Sequence, residues 1–127
     1  MKDTSLRVSL VKLPVSDLDR AVAYYRDVLG LEEEFTAHEY GWCSLSAGGV
    51  DLALYVPGMG GGEQTPGGSA GFQLQVDDLV ALHERLVSRG ALIPEGVYES
   101  DDGMRCLQIQ DPDGNLLHVS ERRESEA

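Results

Sequence analysis

The feature that most constrains how this chain of 127 residues folds is an internal repeat. The stretch Leu13-Pro14-Val15-Ser16-Asp17-Leu18 returns 61 positions later as Leu74-Gln75-Val76-Asp77-Asp78-Leu79. In each copy an alternating apolar stretch precedes a helical pattern, which ends on Gly30 in the first copy and on Gly90 in the second. Self-similarity of this kind indicates one supersecondary unit that occurs twice.

The same local rules shape both copies. Apolar residues alternate over positions 11–15, which predicts a strand with one buried face. Ser16 is the expected N-cap of the first helix, because its hydroxyl can accept from a free amide of the first turn. In the second copy the expected N-cap is Asp77 or Asp78. Gly30 suits the left-handed position that ends a helix.

Three strand candidates follow each helix, separated by glycine-rich or Asp-Pro turns. They cover roughly residues 32–39, 41–46 and 50–55 in the first half, and 95–99, 104–110 and 115–120 in the second. The sequence therefore predicts an α+β chain of two tandem βαβββ modules. Module one spans about residues 6–56, a glycine-rich connection 57–70, module two about 71–120 and a polar tail 121–127.

Composition agrees with a single domain and narrows its partners. Hydrophobic residues make up 42% of the chain, enough for one core. No apolar run approaches the ~20 residues of a membrane span, so neither a membrane nor export is expected. Cys43 and Cys106 lie in strand patterns and are expected to be buried thiols of a cytoplasmic protein. The net charge of −12 argues against nucleic acid as a partner.

Two motifs are similar to those of the vicinal oxygen chelate superfamily: V-x-D-L at the helix start, and Asp111-Pro112-Asp113-Gly114-Asn115 before the last strand. That superfamily includes glyoxalase I, extradiol dioxygenases, methylmalonyl-CoA epimerase, and fosfomycin- and bleomycin-resistance proteins. The resemblance runs from about Leu6 to Val119. It implies a cupped mixed sheet of about eight strands with the helices outside, whose concave face holds a small-molecule ligand.

The metal positions that the resemblance implies are mostly filled by residues without donor atoms. Carried onto this chain, they fall on Leu10, Ala53, Gly71 and His118. Asp51 and Gln73 share a strand face with two of these positions, but a shift of two residues moves a side chain ~6.6 Å along a strand. Since a divalent cation needs about three protein ligands, no metal and no other cofactor is expected.

The side chains expected to line the cup alternate with the buried ones along each strand. They offer neutral hydrogen-bonding groups and a few aromatic rings, which suit an uncharged or weakly charged polycyclic ligand. The candidate ligand-binding residues are Leu10, Lys12, Trp42, Ser44, Asp51, Tyr55, Gln73, Gln75, Gln108 and His118.

Two functions from different classes follow from the resemblance. The first is a binding protein, close in character to the bleomycin-resistance group, that sequesters an antibiotic or a related metabolite without metal. A D-P-x-G-N-x-x-H pattern ending at His118 favours this branch. The alternative is a glyoxalase-like lyase, an epimerase or a dioxygenase with an atypical metal site, in which His118 is the catalytic candidate. In either case a homodimer is expected, because strands at the rim of a cupped sheet need covering.

Overall fold

Each half of the chain folds as one βαβββ module in the computed structural model, which describes residues 2–123. Module one contains β1 (Leu10–Pro14), α1 (Leu18–Ala23), β2 (Glu32–Ala37), β3 (Trp42–Ser46) and β4 (Asp51–Tyr55). A π-helical turn (Tyr24–Val28) continues α1, and a 3-10 turn (His38–Tyr40) separates β2 from β3. Module two contains β5 (Ser69–Val76), α2 (Leu79–Ser88), β6 (Leu92–Glu99), β7 (Arg105–Gln110) and β8 (Leu116–Glu121).

The eight strands form two mixed sheets of four, in the orders β1-β4-β3-β2 and β5-β8-β7-β6. The first strand of each module pairs in parallel with the last, and the other neighbours are antiparallel. The α+β fold of two tandem modules is thus confirmed. Within residues 2–123 no strand pairing joins β1 to β5, so the eight strands do not form one continuous sheet inside a single chain.

The helix ends correct one detail of the sequence prediction. Asp17, not Ser16, is the N-cap of α1, and its carboxylate accepts from the Arg20 amide at 3.1 Å. Asp78 caps α2 in the same way, accepting from the Ala81 amide at 3.0 Å. No helix of the described residues is long and apolar enough to cross a membrane.

Ser16 does not cap α1; it forms hydrogen bonds with the Asp-Pro turn of the other module instead. Its backbone amide donates to the Asp113 carboxylate at 3.1 Å, and its hydroxyl forms a short hydrogen bond with the same oxygen. Arg20 completes this contact with an ion pair to Asp113 at 3.3 Å. Ser16, although serine is a common N-cap residue, therefore contributes to the contact between the two modules instead.

The buried part of that interface is a hydrogen-bonded group around Asp111. The Tyr25 hydroxyl donates to the Asp111 carboxylate at 2.7 Å, and the Asn115 side-chain amide donates to the same oxygen at 2.9 Å. Asn115 also donates to the Pro14 carbonyl of module one, again at 2.9 Å. Because buried polar groups are costly unless they are paired, this group holds the two modules in one relative position.

The helix-covered faces of both sheets border one shared core. Apolar side chains from both modules form a single buried cluster. The ends of the two helical segments also meet, since the Arg89 guanidinium donates to the carbonyls of Asp27 and Val28 at 3.2 and 3.1 Å. The opposite sheet faces, which we call the outer faces, therefore lie on different sides of this core.

Candidate functional site

The outer faces carry the residues that strand alternation assigns to them. Along β3, Cys43 and Leu45 are buried in the core, while Trp42 and Ser44 are only half-buried on the other side. Alternation is equally clear on β7 and β8, where Gln108 and His118 are half-buried between fully buried neighbours. The side-chain directions of these four residues are thus those expected from the sequence.

The structure divides the candidates between two outer faces. Six lie on the outer face of module one: Leu10, Lys12, Trp42, Ser44, Asp51 and Tyr55. Four lie on that of module two: Gln73, Gln75, Gln108 and His118. Each set is brought together by strand register, but the two sets do not share a cup within one chain, because the modules meet through their helix-covered faces.

On module two, His118 stands between two carboxamides. Register places it opposite Gln73 on β5 and opposite Gln108 on β7, so these three side chains form one row across the sheet. A cavity of about 520 Å³ opens beside Gln73 and His118. The arrangement offers an imidazole and amide groups to a ligand, with donors and acceptors on both sides.

Tyr98 is a lining residue of this cavity that sequence reasoning missed. It pairs with Cys106 across β6 and β7, but β6 contains two register irregularities that break its alternation. Burial raises the pKa of the Tyr98 phenol, as do the nearby Cys106 thiol and Glu95 carboxylate, while a hydrogen bond from Gln108 opposes the shift. The cross-strand position of Cys106 is the signal that would have identified it.

On module one, the glycine-rich connection folds back over the aromatic end of the outer face. The Lys12 ammonium donates to the Gly61 carbonyl at 2.7 Å and lies 5.5 Å from the centre of the Tyr55 ring. Tyr55 is only 2% exposed although it belongs to the outer face. Beside it, the Trp42 indole donates to the Ser44 hydroxyl at 2.9 Å.

A pair of carboxyl groups lies at the other end of the same face. Glu34 shares a hydrogen bond with Asp51, and this bond, burial and the charge of Asp51 raise the pKa of Glu34. Glu34 lies at a register irregularity of β2, between Glu33 and Phe35.

The donor set does not fit a divalent metal ion. Three of the four implied ligand positions hold Leu10, Ala53 and Gly71, whose side chains carry no donor atom, and Ala53 is fully buried. In the part of the chain that the structure describes, no three His, Cys, Asp or Glu side chains cluster as a metal site requires. His118 alone cannot hold a cation in a stable protein site.

Comparison with known proteins shows the family. Residues 7–119 match the model of the Glyoxalase/Bleomycin resistance protein/Dioxygenase superfamily, and the chain belongs to that superfamily. The resemblance seen in the sequence motifs is thereby confirmed. None of the curated proteins matches the chain.

Solved structures agree with the fold over nearly the whole length. A superfamily member from Sphaerobacter thermophilus superposes with a TM-score of 0.83 at 25% identity, covering 93% of this chain and 98% of its own. TnmS3, an antibiotic binding protein from a Streptomyces species, gives 0.78 at 26% identity, covering 96% and 100%. A lactoylglutathione lyase from Agrobacterium tumefaciens gives 0.80 at 23% identity, covering 94% and 96%, which is a likeness of fold alone.

Proposed function

We propose that this protein binds an uncharged or weakly charged polycyclic molecule, an antibiotic or a related metabolite, and sequesters it without metal and without turnover. The observation that carries the proposal is the chemistry of the outer faces. Where a metal-using relative needs donors, this chain has Leu10, Ala53 and Gly71. The similarity to the antibiotic binding protein TnmS3 supports a drug-like ligand.

The surrounding side chains suit recognition by stacking and neutral hydrogen bonds. Trp42 offers an aromatic face, and aromatic pairs contribute about 0.5–1.5 kcal/mol beyond their buried area. Gln73, Gln108 and His118 add donors and acceptors in one row. A ligand that stacks on Trp42 and forms hydrogen bonds with this row needs no charge of its own.

We further propose that the complete cup forms in a homodimer. β1 and β5 are each an edge strand of their own sheet. Val8 and Leu10, at the free edge beside β1, are 65% and 40% exposed. Edge strands and exposed apolar side chains are covered when β1 of one copy meets β5 of another, and two-fold symmetry then creates two equivalent cups. Each cup combines the module-one set of one chain with the module-two set of its partner.

The oligomeric state is tested by light scattering on size-exclusion peaks. We expect a dimer for the native chain and a monomer for Val8→Asp, because a carboxylate at the covered edge would be buried unpaired. Val80→Asp, on the exposed side of α2, is the matched control and should remain dimeric. A native chain that is monomeric at high micromolar concentration would contradict the shared cup.

The function is tested by equilibrium dialysis against bleomycin and a set of uncharged polycyclic antibiotics, followed by mass spectrometry of the recovered compounds. We expect saturable binding and unchanged antibiotic. His118→Ala should weaken binding, whereas His83→Ala on α2 should not. Chemical conversion of a compound, or stoichiometric divalent metal in untagged protein, would instead favour the glyoxalase-, epimerase- or dioxygenase-like alternative.

The proposed compartment is the cytoplasm. Cys43 and Cys106 are both free thiols in the structure, and unpaired cysteines are typical of reducing compartments. Secretion into the periplasm or medium, seen on cell fractionation, would contradict this assignment.

A further inference from the structure

The segment 58–62, which we call the glycine strap, lies directly against Trp42 and Tyr55, two aromatic residues of the module-one outer face. A Cβ atom added at Gly61 would lie 2.9 Å from the Tyr55 Cβ and 3.0 Å from the Trp42 ring. One added at Gly62 would lie 2.7 Å from the Tyr55 ring. Any side chain at either position would therefore collide with the rings, and only a bare peptide backbone fits there.

Few polar contacts hold the glycine strap in place. The Gly58 amide donates to the Gly62 carbonyl at 3.0 Å, which closes the loop on itself. The Gly61 carbonyl accepts from the Lys12 ammonium at 2.7 Å. Lys12 is solvent-exposed, so this charged hydrogen bond competes with water and is readily exchanged.

The close contact is specific to these two glycines rather than a general property of the connection. Added Cβ atoms at Gly58, Gly60 and Gly68 would meet nothing within 4 Å. Gly61 also lacks the positive φ that would by itself favour glycine. The contact with Trp42 and Tyr55 is therefore what excludes a side chain at Gly61.

We propose that the glycine strap is a self-ligand of the proposed binding site, and that the subsite over Trp42 and Tyr55 takes a planar group bearing a carbonyl acceptor. In the free protein the Gly61–Gly62 peptide places a flat amide against the rings and its carbonyl on Lys12. A ligand that displaces the glycine strap must itself supply a flat group against the rings and an acceptor for Lys12, because otherwise these contacts are lost in the exchange. This inference rests on the proposed function and defines the chemical class that the site accepts.

The first test measures how well the strap covers Trp42, the only tryptophan of the chain. Acrylamide quenching of its fluorescence is compared among the native chain, Gly61→Ala and the matched control Gly68→Ala. We expect at least a doubling of the quenching constant for Gly61→Ala and no change for Gly68→Ala. Equal quenching of Gly61→Ala and the native chain, with native circular dichroism for both, would overturn the proposal.

The second test measures the ligand class by titration calorimetry with 2-naphthamide and with 2-methylnaphthalene, which lacks the carbonyl. Gly61→Ala should bind 2-naphthamide several-fold more tightly than the native chain, because no strap has to be displaced. Lys12→Met should raise Trp42 quenching as well, but without tighter binding of 2-naphthamide, since the partner of the carbonyl is gone. If Gly61→Ala fails to fold, Lys12→Met still tests the strap through quenching.

The outcomes separate this inference from the proposed function. Increased quenching without preference for 2-naphthamide over 2-methylnaphthalene overturns the self-ligand, while sequestration is still decided by dialysis of the native chain. Antibiotic binding to the native chain that Gly61→Ala does not strengthen also overturns the self-ligand but supports sequestration. Failure of every antibiotic to bind refutes the proposed function, even if Gly61→Ala exposes Trp42.

Discussion

The contact between Tyr25 and Asp111 offers a sharp test of how the modules are joined. Tyr25 is fully buried, and its hydroxyl donates to the Asp111 carboxylate at 2.7 Å across the module interface. Tyr25→Phe keeps the ring and its packing and removes only the hydroxyl. The substitution therefore isolates one buried hydrogen bond to a charged acceptor.

The expected cost follows from the chemistry of that bond. Hydrogen bonds to charged groups contribute about 1.5–3 kcal/mol to stability. The Asp111 oxygen keeps its second donor, the Asn115 side-chain amide, so the carboxylate is not left without a partner. We expect a loss of about 2 kcal/mol in the free energy of unfolding, which lowers the Tm by roughly 5–10 °C for a domain of this size.

The assay is urea and thermal unfolding at one fixed protein concentration, because dimerisation makes stability depend on concentration. The neighbouring tyrosine is the matched control. The Tyr24 hydroxyl contacts the Gln110 carbonyl at 3.4 Å, a long bond to a neutral acceptor, so Tyr24→Phe should cost less than about 1 kcal/mol. The reasoning is refuted if Tyr25→Phe loses no more stability than Tyr24→Phe.

Three further predictions concern ionisation. Burial and the neighbouring Asp111 carboxylate raise the pKa of the Tyr25 hydroxyl. The free energy of unfolding should therefore fall above pH ~10, where the unfolded chain loses a proton that the folded chain keeps. Tyr25→Phe should reduce this fall, as measured by the Tm between pH 8 and 11. The first amide of α2 and the guanidinium of Arg105 hold the pKa of Glu121 below its usual range. The ionised Glu121 carboxylate therefore stabilises the fold at neutral pH, and this stabilisation is lost on acidification. The Tm gap between the native chain and Glu121→Gln should therefore narrow from pH 7 to pH 3, and a constant gap would contradict this. Asp51→Asn should lower the raised pKa of Glu34 toward its ordinary value, as followed by carboxyl NMR; an unchanged titration would exclude Asp51 as the cause.

Several elements of the site could be predicted from sequence because they depend on local periodicity. Strand alternation correctly assigned Trp42 and His118 to the outer faces, since side chains two residues apart share a face. Tyr98 and Glu34 escaped prediction because register irregularities in β6 and β2 interrupt that alternation. Ser16 was assigned to the wrong role because its competing partner, Asp113, lies 97 positions away.

The sequence by itself determined the repeated βαβββ unit, the glycine helix ends and the lack of donor atoms at three of four implied metal positions. These properties depend on residue type and short-range spacing, which any single chain displays. Tertiary structure alone decided that the modules meet through their helix-covered faces, so the candidate residues divide between two outer faces. It alone also placed Gly61 and Gly62 against Trp42 and Tyr55. Both outcomes depend on packing between segments far apart in the chain, for which local patterns carry no signal.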